Sequence, residues 1–281
     1  MAVNHRYPNG VRPLLIEAAA RRKRVEARFI ERLDHAGFAE IVLPIIDYAE
    51  LYPPSKQTYR FVDREGDLIA VRADFTPMVA RALAPSISAA ALPLRVYYRG
   101  DVIRCGDPRL GANREMFQVG AEIVGGDPVE ADVQMLRLAA DLVRHSGLQP
   151  NVIYTDAGLA AALPSLRPLL ATRRMTDDVP RALRPLAEKL IAGTAALEDI
   201  GPFAPEAAAR LGSIADACPE FELHLDDFDE GAGYYTGLRF RVYDARSRAT
   251  LAQGGRYDTL YARFGTPAAA VGFTFTIDEA E

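Results

Sequence analysis

The sequence lacks the features that mark membrane-spanning and secreted proteins. None of its 281 residues belongs to an unbroken apolar run of the roughly 18 residues that a membrane helix needs. Its first residues do not combine a charged start with an apolar stretch, so no secretory signal is expected. Cysteine is scarce: Cys105 and Cys218 lie far apart and match no zinc or redox spacing, so both are expected to be free thiols. These absences predict a cytoplasmic protein without a membrane segment.

Standard catalytic and cofactor-binding signatures are missing as well. The chain has no GxxxxGK(S/T) loop, no GxGxxG after a strand, no HExxH and no GxSxG. The spacing of its histidines fits no metal site, so they are interpreted as surface residues or as hydrogen-bonded core residues. These histidines are His5, His35, His145 and His224. The sequence therefore predicts neither a metal site nor a cofactor.

Positive charge is in short supply for a nucleic-acid-binding protein. The formal net charge is −5, whereas proteins that bind nucleic acid usually carry a basic face and often a basic total. A negative total lowers the expectation of a basic patch but does not exclude one. The basic run Arg21–Arg24 lies inside a helical pattern and is interpreted as a solvated helix face.

The segments that are present predict an α+β fold. Apolar residues at every fourth position indicate a helix over residues 13–35, and Asp127-Pro128 opens another that extends to about 146. Residues 157–218 are rich in alanine and leucine and are punctuated by prolines, which indicates an inserted helical layer. Strands are indicated at 40–44, 67–72, 94–105, 113–124, 220–227, 236–243, 249–253 and 269–276. Because short loops join neighbouring strands, we expect a single domain over 1–281 with an antiparallel sheet flanked by helices.

One predicted strand, residues 113–124, carries a candidate binding surface. Its apolar residues alternate with a second set in which Gln118 and Glu122 flank Gly120. Alternate side chains of a strand point to opposite faces, so one face packs on a core and the other carries an amide and a carboxylate. A position without a side chain between them would leave a notch for a small polar ligand. The strand alone fits an ordinary exposed polar face equally well.

Three other segments add polar groups and backbone clearance. Asp74 and Thr76 lie where a strand is followed by a helix, and Thr76 before Pro77 is expected to cap that helix. Tyr234 and Tyr235 follow a glycine-rich stretch. Residues 254–258, with the sequence Gly-Gly-Arg-Tyr-Asp, are expected to form a tight turn where backbone can approach a ligand closely.

In this order along the chain, these segments resemble the catalytic core of class II aminoacyl-tRNA synthetases, and of histidyl-tRNA synthetase in particular. The resemblance covers nearly the whole chain except 157–218. Residues 37–44 resemble motif 1, the element at the dimer interface of the family, and 95–104 with 114–122 resemble motif 2. Residues 234–237 and 254–258 look like the two histidine-specific motifs, which other class II families lack in this form.

The resemblance implies a site for free histidine. Asp74, Thr76 and Gln118 would hold its α-amino end, since an ammonium group binds carboxylate and amide oxygens. Glu122 together with Tyr234 or Tyr235 would face the imidazole. Arg104 is the nucleotide-facing arginine that this chain keeps. Asp74 stands where the synthetases usually carry glutamate, so its reach is shorter. The implied histidine-binding residues are Asp74, Thr76, Arg104, Gln118, Glu122, Tyr234 and Tyr235.

Departures from the synthetase pattern concern the positions that hold ATP. Glu230 occupies the place of an arginine, Gly233 that of an aspartate, and Glu279 that of the ATP-binding arginine of motif 3, while Gly106-Asp107 replaces an acidic and basic pair. A pair of unit charges about 4 Å apart near a surface is worth roughly 4 kcal/mol, so replacing arginine with glutamate turns that attraction into repulsion. We therefore expect no catalytic residues and no amino-acid activation.

The pattern as a whole resembles the regulatory subunits of ATP phosphoribosyltransferase, the first enzyme of histidine biosynthesis. The resemblance implies assembly with a short-form catalytic subunit, feedback inhibition by free histidine, a self-dimer through 37–44, no anticodon-binding domain and no tRNA partner. Histidine could bind in the synthetase-like notch or at a subunit interface. Two other functions stay open: an active amino-acid-activating enzyme of the histidyl-tRNA synthetase type, and a tRNA-binding paralogue without catalysis.

Overall fold

A mixed sheet of eight strands organises the fold in the computed structural model, which describes residues 7–53, 58–87, 92–106, 113–228 and 233–280. Its strands lie in the order β1-β5-β6-β11-β10-β9-β7-β8. They are β1 Ala39–Glu40, β5 Leu94–Ile103, β6 Glu115–Val124, β7 Pro150–Asp156, β8 Glu222–Leu223, β9 Leu238–Asp244, β10 Thr250–Arg256 and β11 Ala270–Thr276. The interior pairs are antiparallel, while β1 pairs with β5 and β8 pairs with β7 in parallel at the two edges. The α+β architecture predicted from the sequence is confirmed.

One face of this sheet is covered by two long helices, α1 (Ile16–His35) and α3 (Pro128–His145). The apolar stripe of α1 is buried, with Phe29 packed edge-on against Phe275 of β11 at a centroid distance of 4.6 Å. At the start of α3 the Asp127 carboxylate accepts a hydrogen bond of 2.9 Å from the Glu130 backbone N–H, as expected for a capping aspartate. This face holds the main hydrophobic core.

The opposite face of the sheet is only partly covered. The helix α2 (Thr76–Leu83) lies over β5, where Phe75 stacks on Tyr98 at a centroid distance of 4.3 Å and Val79 is also buried. Beyond α2 lies a second sheet with the strand order β2-β4-β3, formed by Ile46–Tyr48, Leu68–Val71 and Arg60–Val62. The part of the large sheet that α2 leaves open carries the candidate site.

Residues 157–217 form the predicted helical layer. Its helices are α4 Ala157–Ala162, α5 Arg167–Thr172, α6 Arg184–Ala192, α7 Leu197–Ile200 and α8 Pro205–Ala217. Their leucines join the main core, and α8 lies against α3. The layer is tied to β7 by an ion pair in which the Arg210 Nε donates to the buried Asp156 carboxylate over 2.6 Å.

Some predicted elements differ from the structure. The strand expected at 40–44 comprises only Ala39–Glu40, after which the chain leaves the sheet towards Pro44. The strand expected at 220–227 comprises only Glu222–Leu223 and pairs with β7 rather than with β9, so the antiparallel pairing expected of neighbouring strands is wrong there. The loop expected at 107–111 lies outside the described residues.

The cysteines, the basic run of α1 and the histidines are the residues for which the sequence indicated no functional role. Cys105 is exposed and Cys218 is buried, and both are unpaired. Arg21, Lys23 and Arg24 are exposed on α1, as predicted for a solvated face, whereas Arg22 is half-buried and its guanidinium packs 4.2 Å from the centre of the Phe117 ring. In the described parts of the chain, no cluster of three histidine, cysteine or acidic side chains is arranged to hold a metal ion. No described helix combines the length and the apolar character that crossing a membrane requires.

Candidate functional site

A cavity of about 270 Å³ opens on the uncovered face of the large sheet. At about 30 Å³ per water this is the space of roughly nine water molecules, enough for a small amino acid and some solvent. Of the seven residues implied by the resemblance, the structure places six in its wall: Asp74, Thr76, Arg104, Gln118, Tyr234 and Tyr235. The seventh, Glu122, lies directly beneath. Residues from four distant segments are thus brought together at one place.

The floor of the cavity consists of two rows of residues that run across neighbouring strands. Residues directly opposite each other in an antiparallel sheet point to the same face. The first row, from β9 through β10 and β11 to β6, is Arg239, Gly255, Gly272 and Glu122. The second row is Arg241, Gln253, Thr274 and Gly120. The floor therefore carries arginines at one end and a carboxyl group at the other, with two glycines between the ends of the first row and Gln253 and Thr274 in the second.

Glu122 is fully buried and receives hydrogen bonds from three hydroxyl groups. Thr76 donates to its Oε1 over 3.1 Å and Tyr98 over 3.4 Å, while Tyr257 donates to its Oε2. Gly272 makes room for it, because a Cβ on Gly272 would lie 1.3 Å from that Oε2. Glu122 thus fixes the tyrosine and threonine hydroxyls around the cavity instead of lining its wall.

The notch expected at Gly120 is filled by protein. A Cβ there would lie 2.3 Å from the hydroxyl oxygen of Tyr98, whose ring occupies the space that the glycine leaves. That hydroxyl also lies 2.8 Å from the Thr274 Oγ1. The idea that a ligand sits between Gln118 and Glu122 is therefore wrong, because the missing side chain accommodates a neighbouring tyrosine instead. The ligand space lies farther along the sheet, above β11 and β10.

The tight turn expected at 254–258 is a strand in the structure. Gly254, Gly255 and Arg256 belong to β10 and pair with β9 and β11 on both sides. The space that these two glycines leave beside the backbone is occupied by neighbouring protein atoms. A Cβ on Gly254 would lie 2.3 Å from the Gly272 carbonyl oxygen, and one on Gly255 would lie 2.7 Å from the ring of Tyr235. Gly255 thereby lets the Tyr235 ring lie flat against the cavity floor.

Asp74 and Thr76 occupy the strand-to-helix turn predicted for them, but their roles differ from the expected capping. Thr76 is the first residue of α2 and its hydroxyl points down to Glu122. Asp74 approaches the helix start instead, with its Oδ1 3.3 Å from the Thr76 backbone N–H. Its other carboxylate oxygen accepts a hydrogen bond of 3.3 Å from the Tyr234 hydroxyl. Asp74 therefore provides a nearly buried carboxylate at this end of the cavity.

The other end of the cavity carries more positive charge than the sequence analysis indicates. Arg239 and Arg241 of β9 line it, whereas Arg104 lines the end near Asp74, where its Nε donates to the Ala73 carbonyl oxygen over 3.2 Å. Sequence reasoning missed the first two, although arginines at every second position between buried apolar residues of β9 were a usable signal. Glu230, Asp107 and the side chain of Glu279, on which the expected loss of positive charge rests, lie outside the described residues.

Burial raises the pKa of Glu122 from 4.5 to about 8, although the hydroxyls of Tyr257 and Thr76 oppose that rise. A carboxyl group whose pKa is higher in the folded state stabilises the fold below its unfolded pKa, and that contribution is lost as the pH rises through the folded value. We therefore expect the free energy of unfolding to fall between about pH 4.5 and 8, by up to about 1.4 kcal/mol per pH unit from this group.

Glu122→Gln should remove this pH dependence, since the amide does not titrate. Urea unfolding at pH 5, 6.5 and 8 measures it as the difference in slope between the variant and the parent chain. Glu188→Gln, at an exposed position of α6, serves as the control and should keep the parental slope. Parallel pH profiles for Glu122→Gln and the parent would contradict the buried, protonated state of Glu122.

Comparison with known proteins identifies the family to which this chain belongs. The family model for histidyl-tRNA synthetase matches residues 10–192 and 162–280. An ATP phosphoribosyltransferase regulatory subunit from Geobacter sulfurreducens is 30% identical over 96% of this chain and 71% of its own length. Another, from Symbiobacterium thermophilum, is 32% identical over 96% of this chain and 78% of its own length.

Solved structures share the fold. An ATP phosphoribosyltransferase regulatory subunit/histidyl-tRNA synthetase from Bacillus halodurans has a TM-score of 0.87 at 24% identity, with all of this chain and 83% of that one covered. A histidine–tRNA ligase subunit from Alicyclobacillus acidocaldarius has a TM-score of 0.77 at 26% identity, with all of this chain and 97% of that one covered. The chain belongs to the histidyl-tRNA synthetase family and, with these relatives, to the regulatory subunits of ATP phosphoribosyltransferase.

Proposed function

We propose that this chain is the regulatory subunit of an ATP phosphoribosyltransferase in histidine biosynthesis, binds free histidine in the cavity and catalyses no reaction itself. The observation that carries this proposal is the likeness to regulatory subunits along 96% of the chain. The cavity supports it chemically. A carboxylate at Asp74 fits the α-ammonium group of an amino acid, and the arginines at the opposite end fit its carboxylate.

Regulation then follows from differential binding. A ligand shifts a complex between two arrangements only by the difference in its affinity for them. In this proposal the partner is a short-form catalytic subunit, which is active in one arrangement with this chain. Histidine binds the other arrangement more tightly and so inhibits the complex.

Reconstitution with a short-form ATP phosphoribosyltransferase tests the proposal. We expect the catalytic subunit to need this chain for activity, and histidine to inhibit the mixture. Asp74→Asn should raise the histidine concentration for half-inhibition about 10- to 100-fold, since a hydrogen bond to a charged group contributes roughly 1.5–3 kcal/mol. Asp216→Asn, at an exposed position of α8, should leave that concentration unchanged. Activity that depends neither on this chain nor on histidine would contradict the proposal.

A second candidate function is an amino-acid-activating enzyme, and a specific observation favours it. Arg104, Arg239 and Arg241 bring positive charge to the cavity, where a synthetase would place a triphosphate. Two of the three arginines share the carboxylate of Asp227, which lowers the positive charge available to ATP. Histidine-stimulated exchange of pyrophosphate into ATP by the purified chain would favour the enzyme over the regulator.

We further propose that two copies pair through residues 37–44 and the small sheet beside them. Apolar side chains there are exposed, and an exposed apolar patch of this kind marks an interaction surface. Val42 is 88% exposed, and the other exposed apolar residues are Ile45, Ile46, Tyr48, Phe61, Val62 and Leu68. The absence of a tRNA partner stays a prediction from the sequence.

A further inference from the structure

The corner between β4 and α2, residues 72–75, is buried, lacks regular secondary structure and brings Asp74 into the cavity wall. Buried backbone groups that lie outside helices and sheets need hydrogen-bond partners from elsewhere in the fold. The backbone of Arg72 has them: its N–H donates to the Ile45 carbonyl oxygen and its carbonyl oxygen accepts from the Ile103 N–H, both over 2.8 Å. The position of Asp74 therefore depends on the neighbouring segments that hold this corner.

Tyr52 supports the corner from the side of the small sheet. Its ring is buried in one apolar cluster with Ala70 of β4 and Met78 of α2, and its hydroxyl donates to the Asp74 carbonyl oxygen over 3.1 Å. Burial, and then the negative charge of Asp74, raise the pKa of this hydroxyl, so it stays protonated and remains a donor at neutral pH. Tyr52 thus holds the backbone of a residue whose carboxylate lines the cavity.

The side chain of Arg72 ties the corner to two further segments. Its buried guanidinium group donates to the Leu43 carbonyl oxygen from Nη1 over 3.0 Å, and to the Asp101 carbonyl oxygen from Nε and Nη2 over 2.9 and 2.8 Å. Gly100 allows this approach, because a Cβ there would lie 2.7 Å from the Arg72 Nη2. The compact ammonium group of a lysine does not reproduce such a planar fork of donors.

The same guanidinium group stacks on Phe75, the residue between Asp74 and Thr76. Its Cζ lies 4.1 Å from the centre of the Phe75 ring, and that ring also stacks on Tyr98 at a centroid distance of 4.3 Å. A guanidinium group is attracted to the face of an aromatic ring. Because Phe75 is held in this way, the two cavity residues that flank it in the chain are held as well.

We propose that Tyr52 and Arg72 are positioning residues of the cavity: they set where the Asp74 carboxylate stands, and so how strongly the cavity prefers a ligand with an ammonium group. The inference rests on the proposed binding of histidine and adds what fixes the selection of its amino end. Neither residue is part of the cavity wall. A charge-assisted hydrogen bond to an ammonium group spans about 2.7–2.9 Å, so a small displacement of the corner is enough to weaken it.

Calorimetric titration of the full chain with histidine and with imidazolepropionate, the same molecule without its amino group, tests the positioning role. The ratio of the two dissociation constants measures the preference for the ammonium group. Tyr52→Phe keeps the buried ring and removes only the hydroxyl. We expect this variant to bind histidine about 2- to 10-fold more weakly, at most the effect of one lost hydrogen bond, and to bind imidazolepropionate like the parent.

Arg72→Lys keeps the positive charge but lacks the flat group that stacks on Phe75. It should lower the preference for histidine further, by about 10-fold, because stacking and hydrogen bonds are lost together. Tyr97→Phe is the matched control: this tyrosine is buried in the main core, and its hydroxyl forms a hydrogen bond with Asp34. It loses one hydrogen bond away from the cavity and should keep the parental ratio.

The outcomes separate this inference from the proposed function. A parental ratio in Tyr52→Phe or Arg72→Lys, or equal weakening of both ligands, would overturn the positioning role of that residue and leave histidine binding intact. Far-ultraviolet circular dichroism checks folding, and Tyr52→Phe, the smaller change, decides if Arg72→Lys does not fold. A parent chain that binds both ligands equally contradicts the selection of the amino end, and one that binds no histidine contradicts the proposed function as well.

Discussion

Gly272→Ala should disrupt the site and destabilise the fold. A Cβ at this position would lie 1.3 Å from the Glu122 Oε2, 2.3 Å from its Cδ and 2.8 Å from the Ala121 carbonyl oxygen. The side chain of Glu122 would have to move, yet the backbone oxygen is fixed in the pairing of β6 and β11. Overpacking a core costs typically about 1–3 kcal/mol.

The displaced Glu122 would also give up its hydrogen bonds to Thr76, Tyr98 and Tyr257. Each such bond contributes about 0.5–1.5 kcal/mol, so together with the overpacking we expect a total loss of at least about 2.5 kcal/mol in the free energy of unfolding. Urea denaturation measures this loss. Histidine binding should fall with it, because Thr76 lines the cavity and is held by Glu122.

Two further variants make the expectation for Gly272 specific. Gly212→Ala on α8 is the control: its Cβ would have no neighbour closer than 3.8 Å, and alanine in a helix is favoured over glycine by up to about 1 kcal/mol. Glu122→Ala combined with Gly272→Ala should recover part of the stability, since it removes the atoms that clash. A Gly272→Ala chain as stable as the parent would show that the Glu122 side chain can adopt another conformation without loss of stability.

The helices and strands of this fold could be predicted from the sequence more accurately than the contacts that individual residues make. Periodic helices such as 128–145 are set by local spacing and a capping residue, and they were found nearly to the residue. The contacts beside the glycines were harder to predict. Gly120, Gly254 and Gly255 were each recognised as positions of close approach, but the neighbouring atoms were expected to belong to a ligand, whereas they belong to the protein. Which atoms fill the space beside a glycine depends on strand register, which no local pattern reveals.

The same limit applies to the candidate site. Six residues of the cavity wall were implied by resemblance to a family, and the structure brings them together. Arg239 and Arg241 were not, because they lie between the family motifs at 234–237 and 254–258, and their contact with Asp227 depends on tertiary structure. The position of Arg239 across the sheet from Glu122 depends on how the strands pair, which the sequence alone does not reveal.

Arg256 makes the most deeply buried ion pair described in the fold, and removing one partner should be severe. Arg256 is 1% exposed and Asp132 of α3 is fully buried. Nη2 of Arg256 donates to the Asp132 Oδ1 over 2.8 Å, and Nε donates to Oδ1 over 3.0 Å and to Oδ2 over 3.3 Å. Arg256 also donates to the Asp258 carboxylate over 2.9 Å and to the Pro128 carbonyl oxygen over 2.7 Å. It therefore ties the end of β10 to the start of α3.

Arg256→Met should lower the free energy of unfolding by about 3–5 kcal/mol, because it removes the hydrogen-bonded counter-charge of the buried Asp132 carboxylate. Arg256→Met combined with Asp132→Leu should restore much of that loss, since apolar residues of similar volume replace a buried pair at little cost. Thermal and urea unfolding of the two single variants and the double variant measure the coupling as a double-mutant cycle. Arg99→Met, which breaks an ion pair with Glu40 at the surface, should change stability little.

The pH dependence gives an independent check on the same pair. Burial raises the pKa of Asp132 from 3.8 to about 6, and the attraction of Arg256 keeps it from rising further. Without Arg256 this pKa should rise again. A raised folded pKa means that stability falls as the pH increases, so the deficit of Arg256→Met relative to the parent should be smaller at pH 5 than at pH 8. A deficit that is the same at both values would mean that the lost packing of the arginine, and not the unpaired carboxylate of Asp132, causes the instability.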